Sequence, residues 1–154
     1  DEGAIRNVEG TWRLADGAYH GSGPGWSETY LGDPDWRDLT LQVVLQPQVG
    51  DQHVGLVRVQ GARRSYAVGL IAAGTLGILK NAGGYHAVAQ RPFAWSHGRS
   101  YSLRIQVSGP TVRVSIDDQA ELQWTDLDDA YLTGAIGLAV GPGGHCAFSH
   151  VSVR

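Results

Sequence analysis

Apolar side chains recur at every second position along most of this chain, a period that strands satisfy and helices do not. In 36–46, Leu39, Leu41, Val43 and Leu45 share one face, with Thr40, Gln42 and Gln46 on the other; only Val44 breaks the alternation. Tyr101, Leu103, Ile105 and Val107 alternate with Ser102, Arg104 and Gln106, and Val112, Val114 and Ile116 alternate with Thr111, Arg113 and Ser115. One face of each run belongs in a core and the other in water, as in antiparallel sheets. The 22 glycines reinforce this, because glycine is costly inside a helix and useful in turns.

Turn signals cut these runs at short intervals: Gly32-Asp33-Pro34, Gly50-Asp51, Gly83-Gly84, Ser108-Gly109-Pro110, Asp117-Asp118 and Gly141-Pro142-Gly143-Gly144. That spacing is the mark of a sandwich or barrel. Strands are expected near 11–14, 17–21, 26–31, 37–46, 52–60, 65–72, 75–80, 85–90, 100–108, 111–116, 120–124, 134–140 and 146–153. Thirteen short strands imply an all-β fold of two antiparallel sheets around one core. Phe148, Val151 and Val153 can share the core face only with a bulge at Ser149-His150. A single helical turn is expected at 126–131. No linker or repeat divides the 154 residues, so residues 1–154 read as one domain, with room for a larger parent protein around it.

Charge and composition narrow the function. A net charge of −3, with the basic residues dispersed, speaks against a nucleic-acid partner. No run approaches the ~20 apolar residues of a membrane helix, so no membrane partner is expected. The single cysteine, Cys146, leaves the compartment open, and the lack of an initiator methionine points to a processed or excised start.

Several segments resemble, in order, the concanavalin A-like lectin/glucanase domains, most closely the laminin-G-like and 3-keto-disaccharide-hydrolase type modules. Trp12-Arg13-Leu14-Ala15-Asp16-Gly17-Ala18-Tyr19 looks like their first hairpin, and Trp36-Arg37-Asp38-Leu39 like the start of their long strand. Gly55-Leu56-Val57-Arg58 and Tyr66-Ala67-Val68-Gly69-Leu70 resemble the central strands, followed by 76–80, 101–107, 134–138 and 147–153. The resemblance implies a jelly-roll sandwich and a carbohydrate ligand. The family often closes on Phe-Asp-Asn-Val, whose aspartate helps hold calcium. Phe148-Ser149-His150-Val151 lacks that hard oxygen ligand, so no metal site is carried over.

Catalysis is harder to find than binding. Glycosidases pair two carboxylates across the scissile bond, but Glu2, Glu9, Glu28 and Glu121 are each isolated, and Asp126, Asp128 and Asp129 read as a solvated turn. The six histidines show neither helical pairing nor clustering with Cys146, and no nucleophile elbow or phosphate loop is present. No catalytic residue and no cofactor are therefore assigned. A sugar site needs aromatic faces beside fixed hydrogen-bonding groups. Arg58 lies mid-strand in a run apolar on both faces, where a charge is either paired or faces a ligand. Tyr66 falls in the next strand, and Lys80, Tyr85 and His86 flank the Gly83-Gly84 hairpin. Trp26, Tyr30 and Trp95 sit at strand or loop ends and are candidates for the rim, whereas Trp12, Trp36 and Trp124 read as packing residues. The expectation is a non-catalytic carbohydrate-binding module centred on Arg58, Tyr66, Lys80 and Tyr85. Its alternatives are an accessory domain of a larger hydrolase, such as an ADP-ribosylglycohydrolase, and a glycoside hydrolase of the 3-keto-disaccharide type.

Overall fold

The computed structural model describes residues 5–9 and 11–154, and it contains fourteen strands in two seven-stranded antiparallel sheets. Sheet A holds, in spatial order, β1 (Ile5–Glu9), β4 (Ser27–Leu31), β13 (Ala135–Val140), β6 (His53–Gly61), β7 (Arg64–Ala72), β8 (Thr75–Ala82) and β9 (Tyr85–Pro92). Sheet B holds β12 (Ala120–Thr125), β11 (Thr111–Ile116), β10 (Tyr101–Ser108), β5 (Leu39–Val49), β14 (His145–Val153), β3 (Ala18–Ser22) and β2 (Thr11–Ala15). Thirteen of these are the strands that alternation predicts. The addition is β1, whose Ile-Arg-Asn-Val-Glu sequence carries no alternating pattern and is a strand by virtue of its ladder with β4.

The core lies where the inner faces meet. Leu41, Leu45, Ile105, Val114 and Ile116 of sheet B are fully buried against Val57, Val68, Leu70, Leu76 and Ile78 of sheet A. Trp12 packs over Gly21 and against Phe148, and Trp124 meets Tyr66 edge-on, so both serve packing as their sequence contexts suggest. In β14 the register with β5 shifts between Ser149 and Ser152, with His150 at φ 53°; this is the expected bulge. It returns Val153 to the core, while Val151 stays 39% exposed.

Residues 126–131 do not form a helical turn. The Asp126 carboxylate accepts the Asp128 amide at 2.9 Å, and Asp129 adopts φ 53°. A left-handed residue cannot continue a right-handed helix, so the segment is an irregular crossover between the sheets.

Sheet A has a second buried cluster on its outer face, formed by Val54, Leu56, Val59, Ala67, Ile71, Leu79, Ala135 and Ala139, with Trp26, Tyr30 and Tyr85 packed on it. The sheet curls to make this possible. Tyr85 of β9 hydrogen-bonds Glu28 of β4, although four strands stand between them. In a flat sheet five strand spacings would separate their backbones by about 24 Å. Curling toward the outer face is eased by its small residues, Gly137, Ala139, Ala67 and Gly77, set back to back with bulky inner ones. A Cβ on Gly137 would come within 2.6 Å of the Thr29 carbonyl. Gly137→Ala should therefore destabilise the domain by roughly 1–3 kcal/mol, whereas Gly61→Ala, with nothing within 4 Å, should be close to neutral; urea unfolding midpoints of the two variants decide it.

Candidate functional site

The curled outer face of sheet A gathers aromatic and polar groups around one buried carboxylate. Alternation along β4 sends Glu28 and Tyr30 to this face and turns Ser27, Thr29 and Leu31 inward, where their ladder partners are Val140, Leu138 and Ile136 of the inner face. Glu28 is 5% exposed. One carboxylate oxygen accepts the Tyr30 hydroxyl at 2.5 Å, and the other accepts the hydroxyl of Tyr85. Among the described residues no cation pairs with this carboxylate.

Trp26 precedes β4 and lays its indole on the Tyr85 ring, with centroids 4.4 Å apart and planes inclined by 34°. Both rings are half-buried and so present a partly open aromatic surface. Burial and then the neighbouring Glu28 charge push the Tyr85 phenol well above its ordinary value, so it remains a hydrogen-bond donor throughout the physiological range. Below it, Asn81 is held rigidly: its amide donates to the Ala62 carbonyl at 3.0 Å and its oxygen accepts the Gly84 amide at 2.9 Å.

Of the residues expected to line a ligand face, Trp26, Tyr30 and Tyr85 come together here. Arg58, Tyr66 and Lys80 do not. Each points between the sheets, and the alternation that places Tyr85 and Asn81 outward places Lys80 inward beside Tyr66. His86, the next residue after Tyr85, faces the opposite way and is exposed. Trp95 lies elsewhere; its indole N–H donates to the Ala72 carbonyl at 2.9 Å and its ring meets His53 edge-on. Trp36, assigned to packing, covers Gly32 and remains 36% exposed.

The three inward residues have structural partners. Arg58 sits in a bulge of β6 at φ 53°, 1% exposed. Its guanidinium donates to the Arg37 carbonyl, to the Gly109 carbonyl at 3.0 Å and to Asp38 at 3.0 Å, tying sheet A to two loops of sheet B. Lys80 pairs with Asp126 at 2.7 Å and donates to the Asp128 carbonyl at 2.5 Å. The Tyr66 hydroxyl donates to Asp126 at 2.6 Å and accepts the Tyr131 amide at 2.9 Å. This network fixes the crossover that leads into β13.

Glu28 is the residue that sequence reasoning missed. It reads as isolated because its partners are a neighbour two positions along and a tyrosine 57 residues away. The detectable signal was Glu28-Thr29-Tyr30, which in a strand places a carboxylate and a phenol side by side. Among the described residues no three His, Cys, Asp or Glu gather as a metal cluster. His20 and His145 contact each other at 2.9 Å, and burial followed by the His20 charge lowers the His145 value. Cys146 is fully buried, and burial pushes its thiol far up, which makes it unreactive.

No protein-family model matches the sequence, and neither does any curated protein. Solved structures are similar over nearly the whole chain. The carbohydrate binding module CBM66 from Bacillus subtilis superposes with a TM-score of 0.84 at 18% identity, covering 98% of this chain and 95% of that one. A protein of unknown function with a galectin-like fold from Bacillus subtilis gives 0.71 at 15% identity, covering 99% and 89%. The exoplasmic/lumenal domain of VIP36, in its Ca2+/Man3GlcNAc-bound form, gives 0.66 at 14% identity, covering 100% and 86%. The chain has the concanavalin A-like, lectin-type sandwich fold.

The buried ties make a prediction about acid. Burial raises the Asp126 carboxyl, but hydrogen bonds from Lys80, Tyr66 and the Asp128 amide outweigh it and hold the group below its ordinary value. The Gly109 amide and then Arg58 lower Asp38 likewise. A carboxyl depressed in the folded state contributes stability above its unfolded value of about 3.9, and that stability is lost as pH falls through the lower folded value. Asp126→Asn should cost on the order of 3 kcal/mol at neutral pH, because it strands Lys80, and should flatten the loss of stability below about pH 4. Arg58→Met should also lower stability, by leaving two loop carbonyls unpaired. Chemical denaturation across pH reads both effects.

Proposed function

We propose that this domain is a non-catalytic carbohydrate-binding module whose site is the curled outer face of sheet A. The observation that carries this reading is the Trp26–Tyr85 aromatic pair standing over the buried Glu28 carboxylate. A pyranose or furanose ring offers C–H faces to stack on such rings and hydroxyls to donate to such a carboxylate. Each Glu28 oxygen accepts one tyrosine hydroxyl and keeps a further lone pair for a ligand. The tyrosines and the fixed Asn81 hold these groups in place before ligand arrives, so little conformational entropy is lost on binding. The names of the similar solved structures, a carbohydrate binding module and a lumenal domain bound to a mannose-containing glycan, support the same class of ligand.

A second reading, a glycoside hydrolase, draws on one feature of the ladder. In β1 the register partner of Glu28 is Glu9, so two glutamates stand opposite each other on adjacent strands. Glycosidases need such a pair, with its separation setting the stereochemical outcome.

One experiment separates the two. A glycan array probed with the wild-type domain should show binding to a restricted set of glycans. Trp26→Ala should weaken that binding by about fivefold or more, as loss of a stacking platform costs about 1 kcal/mol or more, and Glu28→Gln should weaken it without unfolding the domain. Release of reducing ends from the bound glycans, abolished in both Glu28→Gln and Glu9→Gln, would establish the hydrolase instead. Binding that survives both Trp26→Ala and Glu28→Gln would show that the site lies elsewhere.

A further inference from the structure

We propose that the outer face of sheet B, opposite the site just described, binds an extended anionic polysaccharide. The face is organised by ladder register. Gln123, Arg113, Gln106 and Thr40 are successive partners across β12, β11, β10 and β5, and Arg154 extends the row by exchanging both backbone hydrogen bonds with Thr40. A parallel row two residues along carries Ser115, Arg104, Gln42 and Ser152 on β11, β10, β5 and β14. Two grooves, of about 600 and 440 Å³, follow these rows side by side.

The rows are made of planar or hydroxylic hydrogen-bonding groups, and Val44 is the one apolar outward side chain lining the grooves. A protein partner would require an apolar centre that this face lacks. Three guanidiniums decide the sign of the ligand. Arg104, Arg113 and Arg154 are exposed, and among the described residues none has a carboxylate partner. Arg113 is braced flat, donating through two nitrogens to the Gln123 oxygen at 3.1 and 2.7 Å. Of the carboxylates at the grooves, Asp38 is already engaged by Arg58 and the Gly109 amide, Asp118 lines the second groove, and Glu121 ends the second row on the edge strand β12, so the guanidiniums outnumber the free acids where the two rows meet β10 and β5. Arg113 and Arg154 stand three strand spacings apart, about 14 Å, with Arg104 in the adjacent row between them. A ligand that meets all three needs acidic groups repeated along its length and hydroxyls between them for the amides and serines. A chain of uronate or sulfated sugars has that pattern, and arginine forks suit either anion. Such binding is carried by hydrogen bonds and charge, and salt must weaken it.

Affinity electrophoresis tests this with three soluble polymers: polygalacturonate for carboxylate, dextran sulfate for sulfate, and unsubstituted dextran as the neutral control. The expected result is retardation by at least one polyanion at low NaCl, diminished at high NaCl and absent with dextran. The triple variant R104Q/R113Q/R154Q, altered only at exposed positions, should keep the wild-type melting temperature and lose about tenfold or more in affinity. Trp26→Ala should leave polyanion binding unchanged, which separates this face from the curled one. Carboxylate and sulfate are told apart by which polymer retards the protein. Equal retardation by dextran, no retardation by either polyanion, full binding by the triple variant, or loss of polyanion binding in Trp26→Ala would each overturn the proposal.

Discussion

The curl of sheet A is the constraint on which the rest of the architecture depends. Central strands carry large residues inward, such as Tyr66, Leu70, Leu76 and Ile78, and small ones outward, such as Ala67 and Gly77. Volume on one face and its absence on the other let the sheet close toward its outer side. Only in that shape can Tyr85, at the far edge, reach Glu28 across four intervening strands. The apolar cluster beneath them, with Leu56, Ala139 and Leu79, is then covered by Trp26, Tyr30 and Tyr85 instead of forming an exposed patch.

Two buried cations keep the sandwich in register while the sheet curls. Arg58 closes one end by bonding loop carbonyls and Asp38 of the opposite layer. Lys80 closes another by capturing Asp126 and the carbonyls that follow it. Neither charge could be buried without such partners, because desolvation would outweigh any gain from packing. The positive-φ backbone at Arg58 belongs to the same arrangement: it lets the guanidinium turn inward at a bulge where regular alternation would not place it.

The two outer faces consequently differ in chemistry. That of sheet A is aromatic and centred on a buried carboxylate held by two tyrosine hydroxyls, suited to ring faces and hydroxyl donors. That of sheet B is a polar lattice along two grooves, with three exposed guanidiniums that have no carboxylate partner among the described residues. An all-β sandwich exposes two independent surfaces of this kind, and alternation lets each evolve its side chains without disturbing the shared core.

What the sequence determined by itself was the fold and nearly every strand. Period-two alternation with glycine-rich turns specifies thirteen of the fourteen strands, two antiparallel sheets and a bulge near His150, because those features depend on neighbours in the chain. It also identified Trp26, Tyr30 and Tyr85 as site candidates, since aromatic residues in polar contexts stand out locally. Strand β1 was not legible, because Ile5–Glu9 owes its conformation to pairing with β4 and not to any pattern of its own. The roles of Arg58, Tyr66, Lys80 and Glu28 were decided only by tertiary structure. Sequence could show that a charge sat in an apolar strand, but not that Arg58 and Lys80 met carbonyls and carboxylates 20 to 51 residues away. Nor could it show that curvature would bring Glu28 and Tyr85 together. Those outcomes depend on which face of a strand meets which loop, and that is set by the sum of many side-chain volumes across a sheet.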